Sequence, residues 1–461
     1  MKLSAWLPFL IAAMAAVPGT VLRFSGAHVP APAIALLAGV AILGASFLLL
    51  WACDAAQADI SQTLALAVVA LIAVLPEYAV DMYFTWQAGK QPDSHYAHFA
   101  IANMTGANRL LVGVAWGLIA VLFYLRHRRP VRVERERRTE LLFLGLATAY
   151  ALVIPFKKTL AWYDALVFLA IYGWYIYVAG RRPVCECEAE GPAEVLIRLP
   201  PRRRRLLTIC LFLLAAGTIL ANAKPFCEGL IATGTTLGIN QFLLVQWLAP
   251  IASEAPEFTV ALVLAWRGKG GLALGSLLSA KLNQWTLLVG MIPAVFALSH
   301  GTLQHPIPMD QLQLNEILLT AAQSALAVVL LASMRLGLSG SLLLFGLFVG
   351  QLLSPYLTWT FPYSALHLRP EETHILFAVL YVTAAAALML HRPGPLADLR
   401  KGIYPVMPAD PAPAAAATSA QVEDLDIKGP HCHSCRYRQA ALHGQSQREE
   451  LRQEPALAQG N

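Results

Sequence analysis

Two carboxylates stand where an apolar sequence should exclude them. Glu77 follows Pro76 in the stretch LPEYAVDMYFTW at 75–86, and Glu257 follows Pro256 in APEFTVALVLAW at 255–266. A charged side chain at the centre of a bilayer costs about 2.5–3.5 kcal/mol even on the lenient insertion scale. Proline removes a backbone donor and strains the helix around it. A chain that carries both features twice predicts a polar, cavity-lining site for an ion, assembled from two similar halves.

The elements that must position these acids are membrane helices. Hydrophobic residues make up 57% of the 461 residues and charged ones 13%, against roughly 25% charged in a soluble domain, so the chain is an all-α polytopic membrane protein. Apolar runs of about 20 residues, enough to span a bilayer, occur about twelve times between residues 4 and 391. The first run, behind Lys2, carries Arg23 and no clean small-residue cleavage site, which makes it an anchor rather than a cleaved leader. Two loops decide the orientation. Residues 126–138 contain seven arginines and residues 181–205 another seven, and loops kept in the cytoplasm carry such an excess. Two spans separate these loops, so both lie inside, together with the amino terminus and the tail after His391. The expected location is the inner (plasma) membrane. The net charge of +6 is accounted for by these loops; it fits a fringe facing phospholipid headgroups rather than nucleic acid.

The similarity between the halves extends beyond the acids. Each half reads as a helix, a short polar connector, and a helix interrupted by Pro-Glu. Trp86 and Trp266 then follow the acid at one offset, a Gly-Lys pair stands at 89–90 and 268–269, and an LLVG tetrapeptide at 110–113 and 287–290. An odd number of spans between the two Pro-Glu units makes corresponding helices run in opposite directions, the inverted-repeat plan of secondary transporters.

At these residues the chain resembles the sodium/calcium exchanger superfamily of cation antiporters, over roughly residues 31–358. In that family each repeat carries Gly-Thr-Ser-x-Pro-Glu on one helix and Gly-Asn-x-x-Gly-Ser-Asn-x-x-Asn/Asp on the next. Here the first element reads AVLPE at 73–77 and ASEAPE at 252–257; the second reads ANMTGAN at 102–108 and GSLLSAKLNQ at 275–284. The resemblance implies two inverted five-helix repeats, at 31–180 and 206–358. An extra N-terminal anchor at 1–30, the basic loop at 181–205, an extra C-terminal helix at 359–391 and a disordered tail at 392–461 complete the expected organisation. It also implies ion-binding roles for Glu77, Glu257 and either Asn103 or Asn108. Ala73 and Val74 replace the family's first Thr-Ser and cannot ligate, while Ser253 and Glu254 replace the second. Glu254 thereby brings a third carboxylate one turn before Glu257. The family's Asn and its Asn/Asp ligand fall on Lys281 and Gln284. Asp81, one turn after Glu77, either lines the pathway or sits at the interface, and Arg109 either snorkels or pairs with it.

Fully ionised, Glu77, Glu254 and Glu257 contribute minus three and Lys281 plus one. The net of minus two suits one divalent cation, two monovalent cations, or partial protonation. Calcium takes about six to eight oxygens, a number that the carboxylates, an asparagine, Gln284 and carbonyls opened beside the prolines approach. Lys281 repels a divalent ion; paired with Glu257 it couples transport to protons, or, neutralising Glu254 or Glu257, it seals the site. The expected function is therefore a secondary antiporter of calcium or another cation against protons or sodium. The alternative is a scaffold or sensor closed by the Lys-Glu pair.

The remaining features are weaker. Asp54, Asp59, Lys224 and Glu228 are expected in interfacial connectors, and Cys227 on the outer side. A reducing compartment disfavours disulfides at Cys185 and Cys187. In the tail, His431, Cys432, His433 and Cys435 have a spacing that suits zinc but lack a second half-site. No phosphate loop, nucleophile elbow or zinc-protease helix occurs. The protein is thus read as a transporter without cofactor rather than an enzyme, with inorganic cations and membrane lipids as partners. Subunit-facing and lipid-facing apolar surfaces look alike in sequence, which leaves oligomeric state open.

Overall fold

In lipid every backbone donor and acceptor must be satisfied within the chain, which admits only helices and closed barrels. The computed structural model takes the helical solution. It describes residues 5–27, 29–60, 72, 74–181, 191–360, 370–392 and 394–403. The His/Cys cluster at 431–435, Cys185 and Cys187 lie outside the described residues.

Helix α1 (Leu7–Ser25) is followed by α2 (Ala31–Ala56), α3 (Leu75–Lys90) and α4 (Tyr96–Leu110), which passes through a wide turn at Leu111–Trp116 into α5 (Gly117–His127). The first half ends with α6 (Arg138–Ala151), α7 (Ile154–Lys157) and α8 (Trp162–Ala179). The second half comprises α9 (Ala193–Ile197), α10 (Pro201–Leu237), α11 (Gln241–Trp266) and α12 (Gly270–Asn283). A second wide turn at Gln284–Leu288 leads into α13 (Val289–His300), and α14 (Gln311–Leu331), α15 (Leu338–Thr360) and α16 (Pro370–His391) follow. Ten helical stretches among the described residues are long and apolar enough to cross a membrane; α15 adds a shorter apolar stretch at Leu338–Ser354. Part of the run predicted at 60–88 is outside the described residues.

Counterparts in the two halves run in opposite senses. The short strands β1 (Val131–Arg132) and β2 (Arg335–Leu336) pair antiparallel and mark the arginine-rich face. Toward this face α11 ends at Trp266, where the Arg126 guanidinium lies 4.3 Å over the indole. In the other half α3 leads away from it: Ser299 at the end of α13 donates to the Trp86 carbonyl at 2.6 Å. The chain after α16 returns to the arginine-rich face, where Thr139 Oγ1 donates to the Gly402 carbonyl at 2.8 Å. Residues 394–403, expected in a disordered tail, instead form two helical turns with Leu399 buried.

Packing divides the helices into two groups. Helices α1, α2, α9 and α10 share an apolar cluster around Leu48, Leu49, Ala215 and Ile219. The largest cluster runs through α3 to α8 and α11 to α16, and a third, including Ile42, Val80, Phe99, Phe226 and Val245, lies where the groups meet. Small residues let the first group close tightly: a Cβ on Gly44 would stand 2.4 Å from the Ala12 carbonyl oxygen. Helix α10 is one continuous element with Pro225 inside, so the connector expected after residue 222 is absent. Lys224 and Glu228 lie on that helix 3.7 Å apart, Asp54 lies within α2, and Cys227 is buried rather than outward-facing. A proline this deep in a helix keeps neighbouring turns bonded when surrounding helices hold it.

Asp59 clamps α2 to the start of α10. Its carboxylate accepts from Arg204 Nε and Nη2, both at 2.7 Å, and from Arg205 Nε at 3.0 Å. Hydrogen bonds from Arg204 hold its pKa down at about 2, below the ordinary carboxylate value near ~3.9. A depressed carboxylate contributes stability that is present above the unfolded pKa and lost as pH falls through the folded one. In thermal melts of detergent-solubilised protein, Asp59→Asn should therefore melt lower than the unaltered chain at neutral pH. The gap should close as pH falls from about 4 toward about 2.

A second polar tie crosses the membrane interior. Arg109 of α4 forms a buried ion pair with Glu316 of α14, and His374 Nε2 of α16 lies 3.1 Å from the other Glu316 oxygen. The guanidinium stacks 5.1 Å from the Trp247 ring, and Gln323 Nε2 donates to the Arg109 carbonyl at 3.4 Å. Arg109 thus pairs with Glu316, neither snorkelling nor reaching Asp81. Breaking one partner of a buried pair costs about 3–5 kcal/mol, whereas replacing both with apolar groups is often neutral. Arg109→Met and Glu316→Leu should each lower thermal stability sharply, and the double variant should recover most of the loss. Additive losses would show that the pair is not coupled.

Candidate ion-binding site

The site forms where α3, α4, α11 and α12 meet. Pro76 occupies the first turn of α3, where the donor it lacks would have no intrahelical partner. Glu77 therefore sits at a helix N-terminus inside the protein, where free amides favour negative charge. Its side chain is 1% exposed, no amide or hydroxyl donor among the described residues reaches its oxygens, and its hydrogen-bonding neighbour is the Glu254 carboxyl.

Across from it, α11 is continuous through Pro250 and Pro256; the helix break predicted at the second Pro-Glu is absent. Each of these prolines lacks the donor that would reach four residues back. Pro256 frees the Ala252 carbonyl, and Pro250 frees that of Gln246. Against the latter α4 presents Gly106, where a Cβ would stand 1.9 Å from the oxygen; only glycine permits this approach. Glu254 and Glu257 are half-buried, so the acidic cluster is open on the α11 side. The acids are mutual electrostatic neighbours: Glu77 faces Glu254, Asp81 and Glu257, and Glu254 faces Glu257.

The other predicted residues divide between the cluster and its walls. Gln284 is buried and hydrogen-bonds to the Glu254 carboxyl. Asp81 is fully buried rather than interfacial and accepts from Asn103 Nδ2 at 2.8 Å; its second oxygen and Asn103 Oδ1 are unpartnered. Ser253 turns its hydroxyl back onto its own helix, 3.3 Å from the Pro250 carbonyl, and does not face the cluster as a ligand.

Lys281 differs from expectation. Its Nζ donates to Asn108 Oδ1 at 2.7 Å and lies 4.5 Å over the Trp285 ring. No carboxylate among the described residues lies within ion-pair distance of it; the acid it faces electrostatically is Glu77, not Glu257. The predicted Lys281–Glu257 pair is therefore absent, because the asparagine oxygen and the indole face hold the ammonium on the α4 side. Asn108 in turn donates to the Met104 carbonyl at 2.8 Å. Asn108 and Lys281 each stand three residues ahead of the wide turn in their own helix, so the two halves meet directly beside these turns. Such wide turns occur often at functional sites. The paired LLVG tetrapeptides overlapping them were the available signal.

Sequence reasoning assigned no site residue to α14. Its Glu316, Thr320 and Gln323 are buried on one helical face, and a carboxylate at that spacing in an apolar run was a readable sign of a polar seam.

Comparison with known proteins agrees with this architecture. The family model described as sodium/calcium exchanger protein matches residues 30–180 and 207–357. A crystal structure of the H+/Ca2+ exchanger CAX is 37% identical with a TM-score of 0.80, covering 87% of this chain and 98% of that one. Structures of the sodium-calcium exchanger NCX_Mj are also similar, one at 20% identity and a TM-score of 0.47, covering 70% of this chain and 98% of its own. An uncharacterised membrane protein of Methanocaldococcus jannaschii is 23% identical over 217 residues, 47% of this chain and 64% of that protein's length. With inverted halves, acids facing each other from α3 and α11, and a family match across both halves, the chain belongs to the sodium/calcium exchanger family.

Proposed function

We propose that the protein exchanges calcium for protons, with Glu77, Glu254 and Glu257 forming the shared site. The observation that carries this reading is a cluster of three carboxylates, in which Glu77 and Glu254 stand at hydrogen-bonding distance from each other and Glu257 is their electrostatic neighbour. Carboxylates at such close quarters do not all keep their charge without a cation between them. The cluster therefore holds either a cation or protons, and arrival of one displaces the other. That competition is an exchange mechanism without an energy source beyond the two gradients.

The choice of protons over sodium rests on the hydroxyls. Position 74 carries Val and position 73 Ala, so the hydroxyls that the family places before its first Pro-Glu are missing, which disfavours sodium. The likeness to an H+/Ca2+ exchanger at 37% identity supports the same choice. Calcium finds oxygens on the acids and on the Ala252 carbonyl freed by Pro256. Lys281, held by Asn108 rather than by an acid, leaves the carboxylates available; the sealed-scaffold reading required it on Glu254 or Glu257. Motion of the α1, α2 and α10 group against the remaining helices would open the site to one face and then the other, with the arginine-rich face toward the cytoplasm.

In proteoliposomes with an imposed pH gradient, the unaltered protein should drive calcium uptake, and Glu77→Gln and Glu257→Gln should each reduce it to the level of protein-free vesicles. Uptake at full rate in both variants, or none by the unaltered protein with calcium, sodium or potassium, would sink the proposal. Replacement of the pH gradient by a sodium gradient should leave uptake near background.

A further inference from the structure

The two halves of the chain also meet at the arginine-rich face, and there they bring like charges together. Strands β1 and β2 pair with Arg132 directly opposite Arg335. Val131 and Leu336 are buried, while both arginines are exposed. Side chains directly opposite in an antiparallel ladder leave the same face with Cβ atoms about 4.5–5.5 Å apart, and like charges so placed are destabilising. Among the described residues no carboxylate lies within ion-pair distance of either guanidinium. Acids close by in the chain turn elsewhere: Glu140 accepts from Arg137 at 2.8 Å, and Glu134 is an electrostatic neighbour of the same arginine.

Three bare positions hold this pair beside two more arginines and an indole. A Cβ on Gly271 would stand 2.2 Å from the Arg132 carbonyl oxygen, one on Gly270 2.5 Å from the Phe123 ring, and one on Gly268 3.3 Å from the His127 ring. The start of α12 is thereby fixed between β1 and the end of α5. At that end the Arg129 guanidinium lies 5.7 Å from the Phe123 ring centre, and the Arg126 guanidinium rests on Trp266. Arg126 and Arg129 are exposed, and they too have no carboxylate partner among the described residues. Trp266 ends a helix long and apolar enough to span a membrane and is 53% exposed; Leu125, next to Arg126 in the chain, is 57% exposed. Indoles so placed lie at the headgroup level of a bilayer. The patch is thus cationic on one side and continuous with hydrocarbon on the other.

We propose that this patch binds the phosphate of an anionic phospholipid in the leaflet at the arginine-rich face. Arg132 and Arg335 take the phosphate oxygens together, and Arg126, stacked on Trp266, flanks them. Guanidinium forks match phosphate geometry and bind it bidentately. The indole and Leu125 favour a lipid over a soluble phosphate, because an apolar surface beside the charges marks a membrane contact. A bound lipid relieves the cross-strand repulsion and joins residues of both halves. Other arginines of this face already have acids: Arg204 and Arg205 share Asp59, Arg198 has Glu194, and Arg137 has Glu140. The site is independent of what the central carboxylates transport.

The test titrates phosphatidylglycerol into the full-length protein in a neutral detergent and follows the melting temperature. The lipid should raise it by about 3 °C or more. In the double variant Arg132→Gln/Arg335→Gln the amount of lipid giving half the effect should rise about thirtyfold, and in Arg126→Gln about fivefold. Without lipid the double variant should melt no lower than the unaltered protein, because the repulsion is gone; this separates a lost lipid response from a damaged fold. Arg202→Gln/Arg203→Gln removes the same charge from exposed positions at the start of α10. Its half-effect amount should stay within about threefold of the original. An equal loss of response in both double variants would reduce the patch to general surface charge and overturn the site, as would an unchanged response in Arg132→Gln/Arg335→Gln or no shift in the unaltered protein. Glycerol phosphate, the soluble probe, should not reproduce the shift; an equal shift at equal phosphate would overturn the lipid as occupant.

Discussion

A carboxylate surrounded by apolar helices needs a compensating charge, a proton or several donors, and here three carboxylates impose that demand at one place. Glu77 is lodged at the start of α3, where its hydrogen-bonding neighbour is another acid, Glu254, and Glu257 faces the pair from α11. Protein donors satisfy other buried acids in this chain. Glu316 has Arg109 and His374, Asp59 has two arginines, and Asp164 has the Tyr150 hydroxyl at 2.6 Å together with Lys157. The contrast separates acids that face cations or hydroxyls of the chain from the central ones, which face one another.

The prolines serve this arrangement in two different ways. At Pro76 a helix begins within the protein, so backbone amides point toward Glu77. At Pro250 and Pro256 the helix continues and only single carbonyls are released. One of these is covered by the bare face of Gly106, which brings α4 against α11 and carries Asn108 toward Lys281. Close packing, freed backbone oxygens and the position of the ammonium are therefore consequences of one another. The Asn108–Lys281 bond joins the two halves ahead of their wide turns, next to the acids but apart from them.

Around this centre the helices divide unequally. The α1, α2 and α10 group has its own apolar cluster and touches the rest through a small third one, whereas α14 and α16 are tied to α4 by the Arg109–Glu316–His374 network. A buried ionic network resists rearrangement, because exposing either charge to hydrocarbon is costly; the contact between the groups is instead mainly apolar, through Ile42, Phe84 and Phe226, with Tyr83 donating to Glu228 at 2.7 Å.

Composition and the duplicated Pro-Glu units were enough to establish a helical membrane protein with inverted halves and to single out Glu77, Glu254 and Glu257, because the cost of charge in lipid is high enough to be read from a linear pattern. Local pattern failed where partners came from distant sequence. The pairing of Lys281 with Asn108 rather than Glu257, the burial of Asp81 against Asn103, the continuous course of α10 and α11 through their prolines, and the capture of Arg109 by Glu316 all depend on which helix lies alongside. A residue's type and spacing determine what it must find in order to be buried. Only the packing of helices far apart in the chain decides which group it finds.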